Sequence, residues 1–374
     1  MIEQNEFNEN KLGFGLMRLP KKALGIDIAQ TSKMVDMFME AGLTYFDTAF
    51  VYPGSEEAAK KSLVDRYPRE KYTLATKLHA GVIPTEALAK KEFETSLKRT
   101  GAGYFDYYLL HALSKENYKK YEKFHLWDFV KEEQAKGLIR HYGFSFHDQP
   151  ELLDQILTEH PDVDFVQLQI NYADWNSVEV RARENYETAR RHGVAITVMS
   201  PARGGALASP PEAVRAALSD EGAGTPYIQW ALRFAASLRG VDCVLTGASS
   251  EEELRQNLTL TQNRKCLDAR EQAAILRAME AFSNLPHVPC DMCHRCDGNC
   301  PQNIAIPEIF SALNEVLVFG AEESANGLYH RVTAGKGKGK ALLCLGCGAC
   351  LSACPLKIDI PNWLRQAAEI FDQK

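Results

Sequence analysis

The sequence predicts an α/β chain, a closed (β/α)8 TIM barrel followed by a second, small, mainly helical domain. Three observations carry that reading: eight short apolar runs, segments of helical period between them, and a duplicated cysteine pattern confined to the C-terminal part. The runs, rich in β-branched and aromatic residues, are KLGFGLM (11–17), TYFDTA (44–49), YTLATKL (72–78), YFDYYLLH (104–111), HYGFSF (141–146), FVQLQIN (165–171), AITVMS (195–200) and CVLTGA (243–248). Between them lie DIAQTSKMVDMFMEAG, PTEALAKKEFETSLKRTG, QPELLDQILTEH and NSVEVRARENYETARRHG, with apolar residues three or four apart and glycine closing three of the four. Strand alternating with helix implies a parallel sheet. Eight near-continuous apolar strands favour closure into a barrel, whose reactive residues stand where strands end and loops begin. An open doubly wound sheet is the alternative, and no G-x-G-x-x-G follows an early strand to support it.

The 374 residues are 45% hydrophobic and 25% charged, as in ordinary globular proteins. No apolar stretch reaches the roughly 20 residues of a membrane span. A formal net charge of −6 argues against a nucleic-acid partner, which would need a basic surface. The opening MIEQNEFNEN is polar and acidic, with neither a basic nor an apolar leader segment, so a cytoplasmic location is expected.

Cys290, Cys293, Cys296 and Cys300 with Pro301 recur 54 positions later as Cys344, Cys347, Cys350 and Cys354 with Pro355, in the same C-x2-C-x2-C-x3-C-P spacing. Thiolates two residues apart converge on one iron-sulfur cube, while the fourth cysteine, set off by proline, reaches the neighbouring cube. The spacing therefore predicts two [4Fe-4S] clusters. One takes Cys290, Cys293, Cys296 and Cys354, and the other Cys344, Cys347, Cys350 and Cys300. Zinc is the main rival, but its sites usually come as two pairs of cysteines. Disulfides need an oxidising compartment. Covalent haem would fit C-x-x-C-H at Cys290–His294, yet the second copy has Gly348 in place of His294, and Cys296 and Cys300 would be left unexplained. Cys243 and Cys266 have no partner motif and read as small buried side chains.

After each cysteine run the duplication continues, CPQNIAIP (300–307) matching CPLKIDIP (354–361), each leading into an amphipathic helix with proline in its first turn. SNLPHVP (283–289) reads as the linker, dividing the chain into a barrel (1–283) and a two-cluster domain (284–374). With more than forty residues between Cys300 and Cys344, that domain resembles the helical ferredoxin-like modules of redox enzymes. TAGKGKGKALL (333–343) lacks the G-x4-G-K-[ST] spacing, because Ala341 follows Lys340, and reads as a solvated loop. The sharper expectation is that Lys336, Lys338 and Lys340 dock an acidic electron-transfer protein.

Polar residues stand at three successive strand ends: Asp47 in TYFDTA, Lys77 in YTLATKL and His111 in YFDYYLLH, with Tyr52 in the loop after the first. Singly these are an N-cap aspartate, a solvated lysine, a satisfied histidine and a surface tyrosine. In this order they resemble the aldo-keto reductase family, over roughly residues 11 to 283. GFG (13–15), DTA with Tyr52 and GSE (54–56), TKL, and GASSEEELRQNL (247–258) are similar to that family too. The resemblance implies hydride exchange between NADP(H) or NAD(H) and a small-molecule carbonyl or alcohol. A phenol with a pKa of about 10 is a weak acid at neutral pH. Tyr52 is therefore the expected proton donor, Lys77 the group that lowers its pKa, Asp47 the orienter of Lys77, and His111 the polariser of the carbonyl.

The resemblance also places nucleotide contacts at Gly15, Met17, Ser145, Gln167, Met199, Ser200, Gly247, Gln256 and Asn257. Ser145 and Gln167 match positions for the nicotinamide carboxamide, and Asn257 one for the adenine side. This chain departs from the pattern at Phe146, where many members have Asn, and at Met199, where many have an aromatic ring. Gly247, Ala248 and Glu253 replace the Lys, Ser and Arg that grip the 2′-phosphate in NADP-preferring members. Met17, Arg18 and Trp175 are the substrate-pocket candidates. Nicotinamide moves electrons in pairs and each cube moves one, and no flavin motif is visible, so flavin enters only by way of a partner. One reading gives the clusters electron transfer with that partner. Another makes the barrel a self-contained reductase, or a nucleotide-binding module, beside a structural or redox-sensing cluster domain.

Overall fold

The computed structural model describes residues 12–219, 224–259, 266–335 and 337–372. The N-terminal stretch, Lys11 and Lys336 lie outside the described residues. Two compact units divide the chain, residues 1–209 with 218–276 and residues 210–217 with 277–374.

In the first unit eight parallel strands close into a barrel: β1 (Leu12–Gly15), β2 (Tyr45–Asp47), β3 (Thr73–Leu78), β4 (Phe105–Leu113), β5 (Ile139–Phe146), β6 (Phe165–Gln169), β7 (Ala195–Met199) and β8 (Val241–Gly247). Each grows from one of the eight apolar runs. Neighbours in sequence pair throughout, and β8 returns to β1 through Leu12↔Val244 and Gly15↔Gly247. The first run stops short as a strand because Leu16–Arg18 coils into a 3-10 turn.

Tyr45, Ala75, Leu109, Phe165, Cys243 and Leu245, drawn from five strands, meet in one buried cluster that plugs the barrel. Packing there is tight enough to dictate small residues. A β-carbon on Gly13 would lie 2.7 to 2.9 Å from Leu245, Cys243 and Tyr45, and one on Gly143 would lie 2.2 Å from the Phe165 carbonyl oxygen. Cys243 is buried as expected, whereas Cys266 is only half-buried.

The connecting helices follow their sequence signals. Asp27 caps Ile28–Glu40 by accepting from the Gln30 N–H, Thr85 caps Glu86–Thr100, and Gly101 ends that helix at φ 66°. One expectation is corrected. The helix read from NSVEVRARENYETARRHG begins only at Ala182, because Arg181 sits at φ 51° and the Ser177 hydroxyl accepts from the Val180 N–H, holding the preceding residues in a turn.

The second unit is helical. Ile306–Phe319, Glu322–Thr333 and Ile360–Phe371 pack around Ile309, Phe310, Leu313, Ala325, Tyr329, Leu364 and Phe371. Pro307 and Pro361 occupy equivalent first-turn positions of the first and third helices, as the duplication implies. No described helix is long and apolar enough to cross a membrane.

Because the Phe165 carbonyl cannot move without breaking the β5–β6 ladder, Gly143→Ala should lower stability by about 2–4 kcal/mol. Urea unfolding checks this, with Gly193→Ala at an exposed helix end as the milder control.

Candidate active site and metal centres

The strand register brings the polar residues to one end of the barrel. Asp47 ends β2 beside Ala75 of β3, and Lys77 follows two residues on, its side chain fully buried. The Lys77 ammonium donates to the Asp47 carboxylate and, at 2.8 Å, to the Thr48 carbonyl. Gln167 Nε2 donates to the other Asp47 oxygen at 3.3 Å. The loop after β2 is laced to β3 by Thr48 N–H on the Ala75 carbonyl and Phe50 N–H on the Lys77 carbonyl. This hangs Tyr52 above the buried cation, with Lys77 Nζ 5.1 Å from its ring centroid.

His111 arrives by a distortion of β4. The β4–β5 register shifts between Leu110 and Leu113, and Ala112 takes a left-handed φ of 56°. The Ala112 N–H, turned off the ladder, donates instead to Ser145 Oγ at 2.7 Å. The His111 ring then stands edge-on to Tyr52 at 5.8 Å and to His79 at 5.6 Å. Its Nδ1 is buried with no hydrogen-bond partner among the described residues.

These surroundings set protonation states. Burial holds His111 well below its ordinary value, reinforced by Lys77, so the ring is neutral at physiological pH. Burial works against the Lys77 charge, but Asp47 and Tyr52 outweigh it and its pKa is raised. For Tyr52 burial is the largest influence, and Lys77 pulls the other way, as expected of it. Burial raises the phenol above its ordinary value of 10, and the opposing pull of Lys77 does not overcome it.

Tyr52 and His111 open onto a cavity of about 560 Å³. Its wall contains Gly15, Met17, Gln167, Met199, Ser200, Gly247, Gln256 and Asn257, together with Arg18 and Glu253. Ser145 is not on this wall, because its hydroxyl is turned to Ala112. Trp175 is also absent from it, being buried against Tyr186 and Phe234. The sequence reading missed His147, Thr246 and, in the loop after β7, Pro201, Ala202, Gly204 and Gly205, all of which line the cavity. A signal existed for His147, which follows directly on a strand end in GFSFH. Arg18 Nη1 donates to the Gly204 carbonyl at 2.7 Å, tying the loop after β1 to that after β7. Glu253, in the first turn of Glu251–Leu258, accepts from the Ser249 N–H at 2.7 Å and from Ser249 Oγ at 2.9 Å. A carboxylate thus holds the donors at that helix N-terminus.

In the second unit two small pockets are each lined by four cysteines. One has Cys290, Cys293, Cys296 and Cys354, backed by Phe310, Ile358 and Ile360. The other has Cys300, Cys344, Cys347 and Cys350, backed by Ile306 and Leu364. Each draws three thiols from one run and the fourth from the other copy. All eight are free of disulfides. Burial pushes the Cys296 thiol up to about 12 and raises Cys290 and Cys350 as well, so thiolates at these positions call for a cation between them. Four convergent sulfurs in an apolar cup fit a [4Fe-4S] cluster in each pocket.

Comparison with known proteins matches a family to each part of the chain. A model of the aldo/keto reductase family matches residues 11–278, and a model of the 4Fe-4S dicluster domain matches residues 286–355. An aldo-keto reductase of Mycolicibacterium smegmatis is 27% identical over 200 residues, spanning 52% of this chain and 68% of that protein. Among solved structures, an aldo-keto reductase from Bacillus halodurans in its holo form has a TM-score of 0.59 at 24% identity, covering 75% of this chain and 97% of that one. An aldo-keto reductase from Klebsiella pneumoniae in complex with NADPH has a TM-score of 0.58 at 20% identity, over 74% and 95% of the two chains. Both share the barrel fold.

The crossed grouping has a direct test in iron stoichiometry and EPR of single variants. Cys354→Ala should abolish the same signal as Cys290→Ala, and Cys300→Ala the same signal as Cys344→Ala. Pairing within each run would reverse the matches.

Proposed function

Because this chain belongs to the aldo/keto reductase family, we propose that its barrel exchanges hydride between a nicotinamide cofactor and a small carbonyl or alcohol, and that residues 284–374 pass single electrons to or from a partner protein. The observation that carries the first part is the buried Lys77 ammonium, pinned by Asp47 and Thr48 beneath Tyr52 and beside a neutral His111. Bound in the cavity, NAD(H) or NADP(H) supplies or accepts the hydride. Gln167, Met199 and Ser200 would face its nicotinamide end, and Gly247, Gln256 and Asn257 its adenine end.

As hydride reaches the carbonyl carbon, negative charge develops on the oxygen. Tyr52 donates its phenolic proton there and the His111 imidazole hydrogen-bonds the same atom. A raised phenol pKa keeps this proton in place in the resting enzyme. Lys77 acts once the proton leaves, stabilising the tyrosinate at short range in a site shielded from water. In the reverse direction the tyrosinate accepts the alcohol proton. Glu253 on the Ser249 donors favours NAD(H) at this site, since a 2′-phosphate would meet a carboxylate. The clusters match one-electron exchange with a protein carrier, any flavin belonging to that partner.

Tyr52→Phe removes the transferable proton and should lower kcat/KM for carbonyl reduction by about 10²-fold or more, with nucleotide affinity nearly unchanged. The pH dependence has a definite sign. Reduction needs a protonated Tyr52 and a neutral His111, so its rate should be level from about pH 7 to about pH 10 and fall only above that as the phenol, raised by burial, ionises. A basic limb already descending near neutrality would contradict the assignment.

A further inference from the structure

The two cysteine pockets differ in what surrounds them. Residues 288–302, around the first run, include Asp291, Asp297, His294 and Arg295. Residues 334–358, around the second, include four lysines and no carboxylate. The apolar side chains here also face outward. Leu342, Leu343, Leu345, Leu351 and Leu356 are 39% to 68% exposed, and make up five of the twelve large exposed apolar side chains among the described residues. Single exposed leucines are ordinary, but a group of five on one short segment marks an interaction site.

This rim is held in place. The Ala341 N–H donates to Tyr329 Oη at 2.9 Å and the Leu342 N–H to Asp372 Oδ2 at 3.0 Å. Tyr329 in turn donates to Asp372 and stacks on Phe371 at 4.6 Å. The lysine loop is fixed by the Gly339 N–H on the Asn303 carbonyl at 2.8 Å, where a β-carbon on Gly339 would strike the Gln302 carbonyl oxygen. Gln302 and Leu345 both line the pocket of Cys300, Cys344, Cys347 and Cys350. Lys338 makes no ion pair with a described residue, and Lys340 reaches only Asp372, at 3.8 Å.

We infer that Leu342, Leu343, Leu345 and Leu351, with Lys338 and Lys340, form the face on which a small acidic one-electron carrier protein docks, so that electrons enter or leave through the second pocket and not the first. The inference rests on the electron-transfer reading of this domain and names the port and the partner's chemistry. An apolar centre excludes water at the contact, and the cationic rim selects an acidic surface. A second copy of this chain would bring like charge against like. Each encounter moves one electron and no atoms: the carrier loses one and the group held by Cys300, Cys344, Cys347 and Cys350 gains one, or the reverse.

The test uses anaerobically purified holoprotein and an acidic plant-type [2Fe-2S] ferredoxin as probe, both oxidised, with Kd measured by titration calorimetry at low and high salt. Binding should weaken steeply with salt. Lys338→Glu combined with Lys340→Glu, and separately Leu342→Ser, should each raise Kd about tenfold or more, with full iron content retained, while Arg295→Glu beside the first pocket changes it little. Unchanged affinity in the rim variants, or a loss with Arg295→Glu, overturns the placement but leaves the electron-transfer reading standing. No binding and no electron exchange with the wild-type protein would remove that reading as well. A wild-type dimer that Leu342→Ser makes monomeric would give the face to a second copy. Rim-dependent co-sedimentation with anionic vesicles would give it to a membrane. Either result overturns the inference.

Discussion

An ammonium group with no solvent-exposed surface sits at the end of β3, and its tolerance depends on one contact, the Asp47 carboxylate on the adjacent strand. Burying an unpaired charge costs several kcal/mol, so Lys77 can stand there only while Asp47 faces it, the Thr48 carbonyl accepts from it and Gln167 donates to the other Asp47 oxygen. The contact depends on barrel closure. Parallel register sets Asp47 beside β3, and the inward face of β6 supplies Gln167. The loop hydrogen-bonded across this pair then has little freedom in where it carries Tyr52.

From that arrangement comes a site specialised for electron pairs. A phenol protonated at rest, a cation waiting beneath it and a neutral imidazole beside it suit the proton that accompanies a hydride. Nothing in this set favours a radical. The cysteine pockets are built on the opposite chemical logic, with soft sulfur donors in apolar cups suited to single electrons. The two units thus suit different electron currencies, and exchange between them would require a flavin carried by a partner.

Much of this was legible in the sequence, for identifiable reasons. Strand runs, and the polar residues that end them, are local features, and so is the cysteine spacing, whose proline-linked fourth member already implies crossing. Features that depend on how side chains fill space were not legible. Ser145 has the expected position, but its hydroxyl is drawn away by Ala112, whose left-handed backbone follows from a register shift no local pattern announces. Trp175 reads as a pocket residue and is instead buried between two aromatic rings. At Tyr52 the lowering pull of Lys77 can be guessed from a motif, whereas the depth of burial that opposes it cannot.

The division of electron chemistry is open to one decisive measurement. The anaerobic holoprotein, free of flavin, is mixed in a stopped-flow cell with NADH or NADPH, first alone and then with a reducible carbonyl, while cluster and nicotinamide absorbance are followed together. Nicotinamide oxidation should depend on the carbonyl, with no cluster bleaching in either mixture. Rapid bleaching by nicotinamide alone, at one nucleotide consumed per two clusters, would contradict that division.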